Sequence, residues 1–183
     1  MSSSSAEVIR PLRRVEYEQL VYAGAFRHER VELINGVILQ MSPIGSPHRW
    51  AVDVLNELFV LAIRRRAWVS VQSSFAAGEY SQPEPDLALV PRDTPRNERA
   101  CQAYLIVEVS DSSLAYDRGK KARLYATSTV PEYWVVNIIE QVIEVYTQPK
   151  DGAYAQVERY QPGQSIRVGA FPDIEIAVSD VFG

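Results

Sequence analysis

The sequence is poor in the side chains that carry much of enzyme chemistry, with one cysteine, Cys101, and two histidines, His28 and His48. A lone thiol excludes an intrachain disulfide and a cysteine-based metal cage, and two imidazoles are too few for most zinc sites. Any metal would have to be held by oxygen. Long apolar runs are also missing. The longest, Leu58 to Ile63, falls far short of the ~20 residues that cross a bilayer, so no membrane association is expected. The opening MSSSSAEVIR lacks the apolar segment of a signal peptide, which predicts a cytoplasmic chain with residues 1–14 as a flexible tail and 15–183 as one domain. Glycine-based motifs are absent too: there is no G-x-G-x-x-G, no G-x-S-x-G and no H-E-x-x-H. Gly119-Lys120 is followed by Lys121, where a phosphate-binding loop needs Ser or Thr.

What is present is ordinary globular material, 46% apolar and 23% charged over 183 residues, enough for one sizeable core. The net charge of −4 argues mildly against a protein that coats nucleic acid, because such binding draws its affinity from Lys and Arg on phosphates. The whole-chain sum conceals two basic clusters, Arg64-Arg65-Arg66 and Arg118, Lys120, Lys121, Arg123.

The pattern VEYEQLVYAG is compatible with a short helix from Val15 to about Gly24. Asn35-Gly36 between apolar, β-branched runs predicts a hairpin of strands near Arg30–Ile34 and Val37–Met41, because both central residues of a type I′ turn need positive φ. Ser46 and Pro47 are a plausible N-cap and first residue of a helix running to Arg66, with the arginine run in its last turn. WVSVQSSF, DLALV and AYLIVEVS read as strands, the last two buried on both faces. A helix over YDRGKKARLYATS and further strands to the C-terminus complete an α/β or α+β order, a mixed central sheet flanked by helices. His48 is expected to cap or pack at the long helix's start, and Trp50, Trp68 and Trp134 are expected in the core.

Acidic residues stand at odds with this apolar frame. Asp86 opens DLALV and Glu108 interrupts YLIVEVS, and an ionised carboxylate among Leu105, Ile106, Val107 and Val109 is costly unless paired or bound to a cation. Adjacent strands would bring the two carboxylates together, with one pKa raised unless a lysine or divalent ion intervenes. Mg²⁺ suits such a pair, since it is usually held by one or two carboxylates with waters and phosphates. Glu32, in the hairpin, is a third candidate. Lys121 shares a helical face with Asp117 and Tyr125, whereas Lys120 points elsewhere. Each residue also has an ordinary structural explanation: a turn for Asp86, a core arginine for Glu108, an i,i+4 helix pair for Asp117 and Lys121.

The series VELINGVILQM, SPHRWAVDVLNEL, PEPDLALV, LIVEVSDSS, DRGKKARLYA and VPEYWVVN resembles the Uma family of restriction-endonuclease-like proteins, within the PD-(D/E)XK nuclease superfamily. The resemblance runs from about Val15 to Gly183 and implies a restriction-endonuclease-like fold with metal-dependent hydrolysis of DNA phosphodiesters. By this resemblance Glu32 matches the hairpin glutamate, Asp86 the PD aspartate and Glu108 the acidic residue of the (D/E)XK element. Ser110 stands where the superfamily lysine is expected; Lys121, in the following helix, takes that place. Asn137 stands where aspartate is frequent. The implied site has Asp86, Glu108 and the Val109 backbone carbonyl holding Mg²⁺ or Mn²⁺, Lys121 positioning water, and Glu32 completing the metal shell or fixing Lys121. Arg64, Arg65, Arg66, Arg118, Lys120 and Arg123 are the expected nucleic-acid contacts, and a homodimer is plausible because many nucleases of the superfamily act in pairs. The competing expectation is a nucleic-acid-binding or assembly module on an inactive nuclease scaffold.

Overall fold

The computed structural model describes residues 10–183. Most of the expected N-terminal tail, residues 1–9, lies outside the described residues. The next few residues meet the hairpin and a neighbouring loop: Leu12 N donates to Gly36 O at 3.0 Å and Arg14 N to Glu79 O at 2.7 Å.

Helix α1 (Arg14–Tyr22) leads to the hairpin β1 (Val31–Ile34) and β2 (Val37–Gln40), followed by α2 (Ser46–Ile63). The turn has the two positive φ angles that its sequence requires, 51° at Asn35 and 78° at Gly36. Strands β3 (Ala67–Val71), β4 (Leu87–Pro91), β5 (Leu105–Ser110), β6 (Glu132–Asn137), β7 (Val142–Lys150) and β8 (Ala153–Tyr160) pair in that order as one six-stranded sheet. Only β5 and β6 run parallel. Their crossover holds α3 (Leu114–Tyr116), a π-helical segment (Asp117–Lys121) and α4 (Ala122–Thr127). A second hairpin, β9 (Ser165–Val168) and β10 (Phe171–Ala177), and α5 (Val178–Phe182) end the chain. This is the expected mixed sheet with flanking helices and an N-terminal hairpin. No helix among the described residues is long and apolar enough to cross a membrane.

Strand alternation sorts side chains onto two faces. Leu87 and Leu89 of β4, Leu105, Val107 and Val109 of β5, and Trp134 and Val136 of β6 pack with α2, β9, β10 and α5. Ala88, Ile106, Tyr133 and Val135 take the opposite face, against Ala122, Leu124 and Tyr125. Both buried strands, β4 and β5, are covered on both sides, as their continuous apolar runs predict. Glu108 therefore shares the face of Ile106, towards α4.

Several local expectations are corrected. Helix α2 begins at Ser46 with Gly45 as its N-cap and stops at Ile63, because Arg64 adopts the left-handed conformation. The arginine run thus lies beyond the helix; Arg66 folds back and donates to the carbonyls of Ile63 (3.1 Å) and Ala62 (3.3 Å), serving the helix end from outside. Trp134 is in the core, but Trp50 and Trp68 are 59% and 45% exposed. Trp50 falls on the outer side of α2, and Trp68 lies on the edge strand with the Arg92 guanidinium 3.3 Å above its ring. The single helix expected over YDRGKKARLYATS is interrupted by the π turn. There Asp117 and Lys121 do not form a helix pair: the Asp117 carboxylate accepts from Ser110 (2.7 Å) and Ser113 (2.5 Å).

Candidate active site

The β4–β5 register pairs Leu87 with Val107. One residue further, the same register sets Asp86 opposite Glu108, on the face shared with Ile106 and Ala88. Ladder pairing gives way there to side-chain bonding, as the Val109 N–H donates to Asp86 Oδ2 at 2.9 Å. Asp86 Oδ1 meets His48 Nε2 at 2.9 Å and Gln72 Nε2 at 3.3 Å. His48 is therefore neither a cap nor a packing residue; it reaches from the first turn of α2 to the carboxylate.

Glu108 Oε1 accepts two bonds, from Lys121 Nζ at 2.9 Å and Tyr125 OH at 2.6 Å. Glu32 closes on the same lysine, with Oε2 at 3.2 Å from Nζ, and accepts from the Glu84 amide at 3.3 Å. Glu32, Asp86, Glu108 and Lys121, the four sequence candidates, are all buried in one place. The π turn lies just ahead of α4, and Lys121 and Tyr125, the one at its end and the other a turn later, both reach Glu108. π bulges recur at functional sites for the side-chain aim they confer.

The four side chains line a pocket of about 370 Å³. Among the described residues six carboxylates line it, those of Glu32, Glu84, Asp86, Glu108, Asp111 and Asp117, against two permanent cations, Arg30 and Lys121. Burial pushes the Glu108 carboxyl up to about 8; Lys121 opposes the shift and the Asp86 charge adds to it. Burial also acts to lower Lys121, but Glu108, Glu32 and Asp117 overcome it and hold the ammonium above its ordinary range. Both groups thus hold their protons more tightly than usual, the carboxyl through burial and the ammonium through the carboxylates around it. Burial likewise raises Asp117, against its two serine bonds.

This donor set is compatible with a divalent ion held by oxygen. Among the described residues no three His, Cys, Asp or Glu side chains gather as a ready-made cage. A carboxylate has about four lone-pair sites. Asp86 uses three of them, and both bonds to Glu108 fall on Oε1. Two carboxylates with lone pairs to spare, one of them raised by burial and by its neighbour's charge, are compatible with an oxygen-bound divalent ion completed by waters rather than by protein.

Residues 14–179 match a family described as "Uma2: Putative restriction endonuclease". The chain belongs to the Uma2 family. A crystal structure described as a putative nuclease belonging to DUF820, from Anabaena variabilis ATCC 29413, is similar to this Uma2 chain with a TM-score of 0.73 at 15% identity. The match covers 94% of this chain and 98% of that one and establishes a shared fold. No curated protein matches the sequence. Family and fold together place this Uma2 protein among restriction-endonuclease-like proteins.

Sequence reasoning missed the roles of His48 and Gln72, which stand 38 and 14 residues from Asp86 with no spacing to betray them. For Tyr125 a signal existed in its i+4 relation to Lys121. Of the expected nucleic-acid contacts, Arg118 is committed to Glu144 through bonds of 2.9 and 2.6 Å, and Arg66 to Asp173 at 2.8 Å. Arg64, Arg65, Lys120 and Arg123 are exposed. Asn137 caps the β6–β7 turn, accepting from the amides of Ile139 and Glu140.

Proposed function

We propose that the chain is a metal-dependent endonuclease that hydrolyses phosphodiester bonds of DNA, with Asp86 and Glu108 as ligands of Mg²⁺ or Mn²⁺. The observation that carries this reading is Glu108, a buried carboxylate beside a second one, bound by lysine and tyrosine on a single oxygen. The Val109 carbonyl is the third proposed donor, on the strand segment whose amide already bonds Asp86. When bound, the ion supplies Lewis-acid charge and lowers the pKa of a coordinated water.

The protein's own groups do the positioning. Lys121, fixed between Glu108 and Glu32, orients the attacking water and offsets charge that gathers on the phosphoryl oxygens. Glu32 serves the lysine, Tyr125 holds the Glu108 carboxylate in place, and His48 with Gln72 orients Asp86. Arg64, Arg65, Lys120 and Arg123 remain available to phosphates, whereas Arg66 and Arg118 are spent on internal ion pairs. Action as a homodimer belongs to the same reading and is supported by the exposed Trp50, Val60 and Leu61 on α2. The lone exposed thiol suits a reducing cytoplasm.

The test is incubation with supercoiled, linear and branched DNA in Mg²⁺, in Mn²⁺ and with chelator. Cleavage by the wild type that is lost with chelator, and lost in Asp86→Ala and Lys121→Ala while both stay folded, supports the reading. Undiminished cleavage by both variants overturns the site. No cleavage of any substrate favours a nucleic-acid-binding or assembly module instead.

A further inference from the structure

Two buried glutamates stand in one row across the central sheet. The β5–β6 register pairs Glu108 with Val135, and the β6–β7 register pairs Val135 with Glu144. Strand alternation sends both carboxylates to the face covered by the crossover, the face of Ile106 on β5 and of Tyr146 on β7. Two strand spacings, about 10 Å, separate them. Each is met by a different cation of the π turn. Lys121 reaches Glu108 at 2.9 Å, and Arg118 engages Glu144 through a fork, Nε to Oε2 at 2.9 Å and Nη2 to Oε1 at 2.6 Å.

The turn has little of its own to hold it. The Ala122 amide reaches back five residues to Asp117 O, the long step that sets a π turn apart from an α-helix. Gly119 sits in its middle, where a Cβ would meet nothing within 4 Å among the described residues, so no close approach calls for a glycine that weakens a helix by about 1 kcal/mol against alanine. The ties come from the sheet. Tyr133 OH donates to Asp117 O at 3.1 Å and Ser110 to the Asp117 carboxylate at 2.7 Å, which fixes the first residue of the turn. Arg118 is the next residue, and its planar fork on a carboxylate admits one orientation. Helical residues three apart have Cβ atoms about 5–6 Å from each other, so Arg118 and Lys121 must splay to reach glutamates about twice as far apart, and each pair resists displacement of the turn towards the other.

We propose that Arg118 and Glu144 are positioning residues for Lys121: their fork is the second point of a clamp that sets the π turn against the sheet and aims the ammonium at Glu108 and Glu32. The inference rests on the hydrolytic role given to Lys121 above and goes beyond it, since neither Arg118 nor Glu144 lines the acidic pocket. Glu144 does not depend on Arg118 alone for its compensation. Tyr146 OH donates to it at 3.0 Å and Arg159 Nε lies 3.4 Å from Oε1, so removing Arg118 leaves a paired carboxylate and a chain able to fold.

The test compares Arg118→Met, Glu144→Gln and Arg118→Lys with the wild type and with Glu132→Gln, which loosens a tie between β6 and the β9–β10 turn, away from the crossover. Turnover of bis(p-nitrophenyl) phosphate in Mg²⁺ gives kcat and KM. Acetylation of Lys121 by acetic anhydride in chelator, read by mass spectrometry against Lys150, reports the position of the lysine without any turnover. In Arg118→Met and Glu144→Gln, kcat should fall about ten- to a hundredfold with KM nearly unchanged, the signature of a misplaced group that acts in the transition state. Lys121 should be acetylated several-fold faster in both than in the wild type or in Glu132→Gln. Arg118→Lys, which keeps the charge and loses the fork, should fall between. Wild-type kcat in both Arg118→Met and Glu144→Gln, or Lys121 acetylated no faster in them than in Glu132→Gln, overturns the clamp; with turnover by the wild type, the hydrolytic reading then stands without it. If the wild type turns over no diester and Lys121 is nonetheless exposed in both variants, the clamp stands and the hydrolytic reading fails. If there is neither turnover nor exposure, both fail.

Discussion

The ammonium of Lys121 and the carboxylate of Glu108 meet at 2.9 Å, joining the end of a π turn to the middle of a fully buried strand. Ser110, two residues after Glu108, is on the same face and donates instead to Asp117 at 2.7 Å. The cation that faces Glu108 therefore arrives from the crossover helix, and the stability and the proposed activity of the site depend on one lysine shared by two glutamates.

Removing that cation leaves two buried carboxylates facing each other. Lys121→Met should abolish cleavage and destabilise the fold at neutral pH by about 3–5 kcal/mol, the usual cost of breaking a buried pair. Adding Glu108→Gln should restore much of the stability without restoring activity. Urea unfolding of the single and double variants checks this; equal instability in both would mean that the lysine acts through packing alone.

Metal binding should be separable from folding. Glu108→Ala and Asp86→Asn are expected to weaken Mn²⁺ binding at least about tenfold, since each alters one of the two carboxylates proposed as ligands. Calorimetric titration of Mn²⁺ into the folded variants measures it. A titration unaffected by Glu108→Ala would remove that residue from the metal shell.

Glu132 provides a pH test away from the site. It accepts from Trp134 Nε1 at 2.6 Å and Gly169 N at 2.7 Å, and burial raises its pKa in spite of both bonds. A carboxyl raised by folding contributes stability that is present below its unfolded pKa and lost as pH rises through its folded value. Unfolding free energy should thus fall with rising pH across that window, and Glu132→Gln should flatten this part of the profile. The variant should also lose about 1–3 kcal/mol at every pH, because one of the two donors then faces an amide NH₂. Chemical denaturation across the acid range reads both effects.

The hairpin that carries Glu32 can be tested at its turn. Gly36 has φ of +78°, and a Cβ there would lie 2.3 Å from the Pro11 Cβ. Gly36→Ala should cost about 1–3 kcal/mol through backbone strain alone, with the clash adding to it. Cleavage should fall as well, because the displaced strand holds Glu32 against Lys121. Thermal unfolding together with the cleavage assay separates a folded, slow enzyme from an unfolded one.

Much of the frame was legible in the sequence because it follows from local rules. Asn35-Gly36 demanded a tight hairpin, the apolar runs of β4 and β5 demanded burial on both faces, and a glutamate inside such a run demanded a partner. The errors arose where a longer-range contact decided the outcome. Arg64 ends α2 early by turning left-handed, and Trp50 stays exposed because its helix buries the adjacent face through Ala51, Val52 and Leu55. His48, placed at the start of α2, is drawn to a carboxylate 38 residues away.

The sequence by itself determined the alternation that sets Asp86 with Ala88 and Glu108 with Ile106, whereas the register that brings both carboxylates onto one face was decided by the pairing of β4 with β5. It also determined that Glu108 could not stay unpaired in an apolar run. Only the tertiary structure decided that Lys121 and Tyr125 would meet the same glutamate oxygen and that Glu32 would share the lysine. Those relations depend on how a helix with a π turn and a separate hairpin pack over the sheet, and no local spacing encodes that packing.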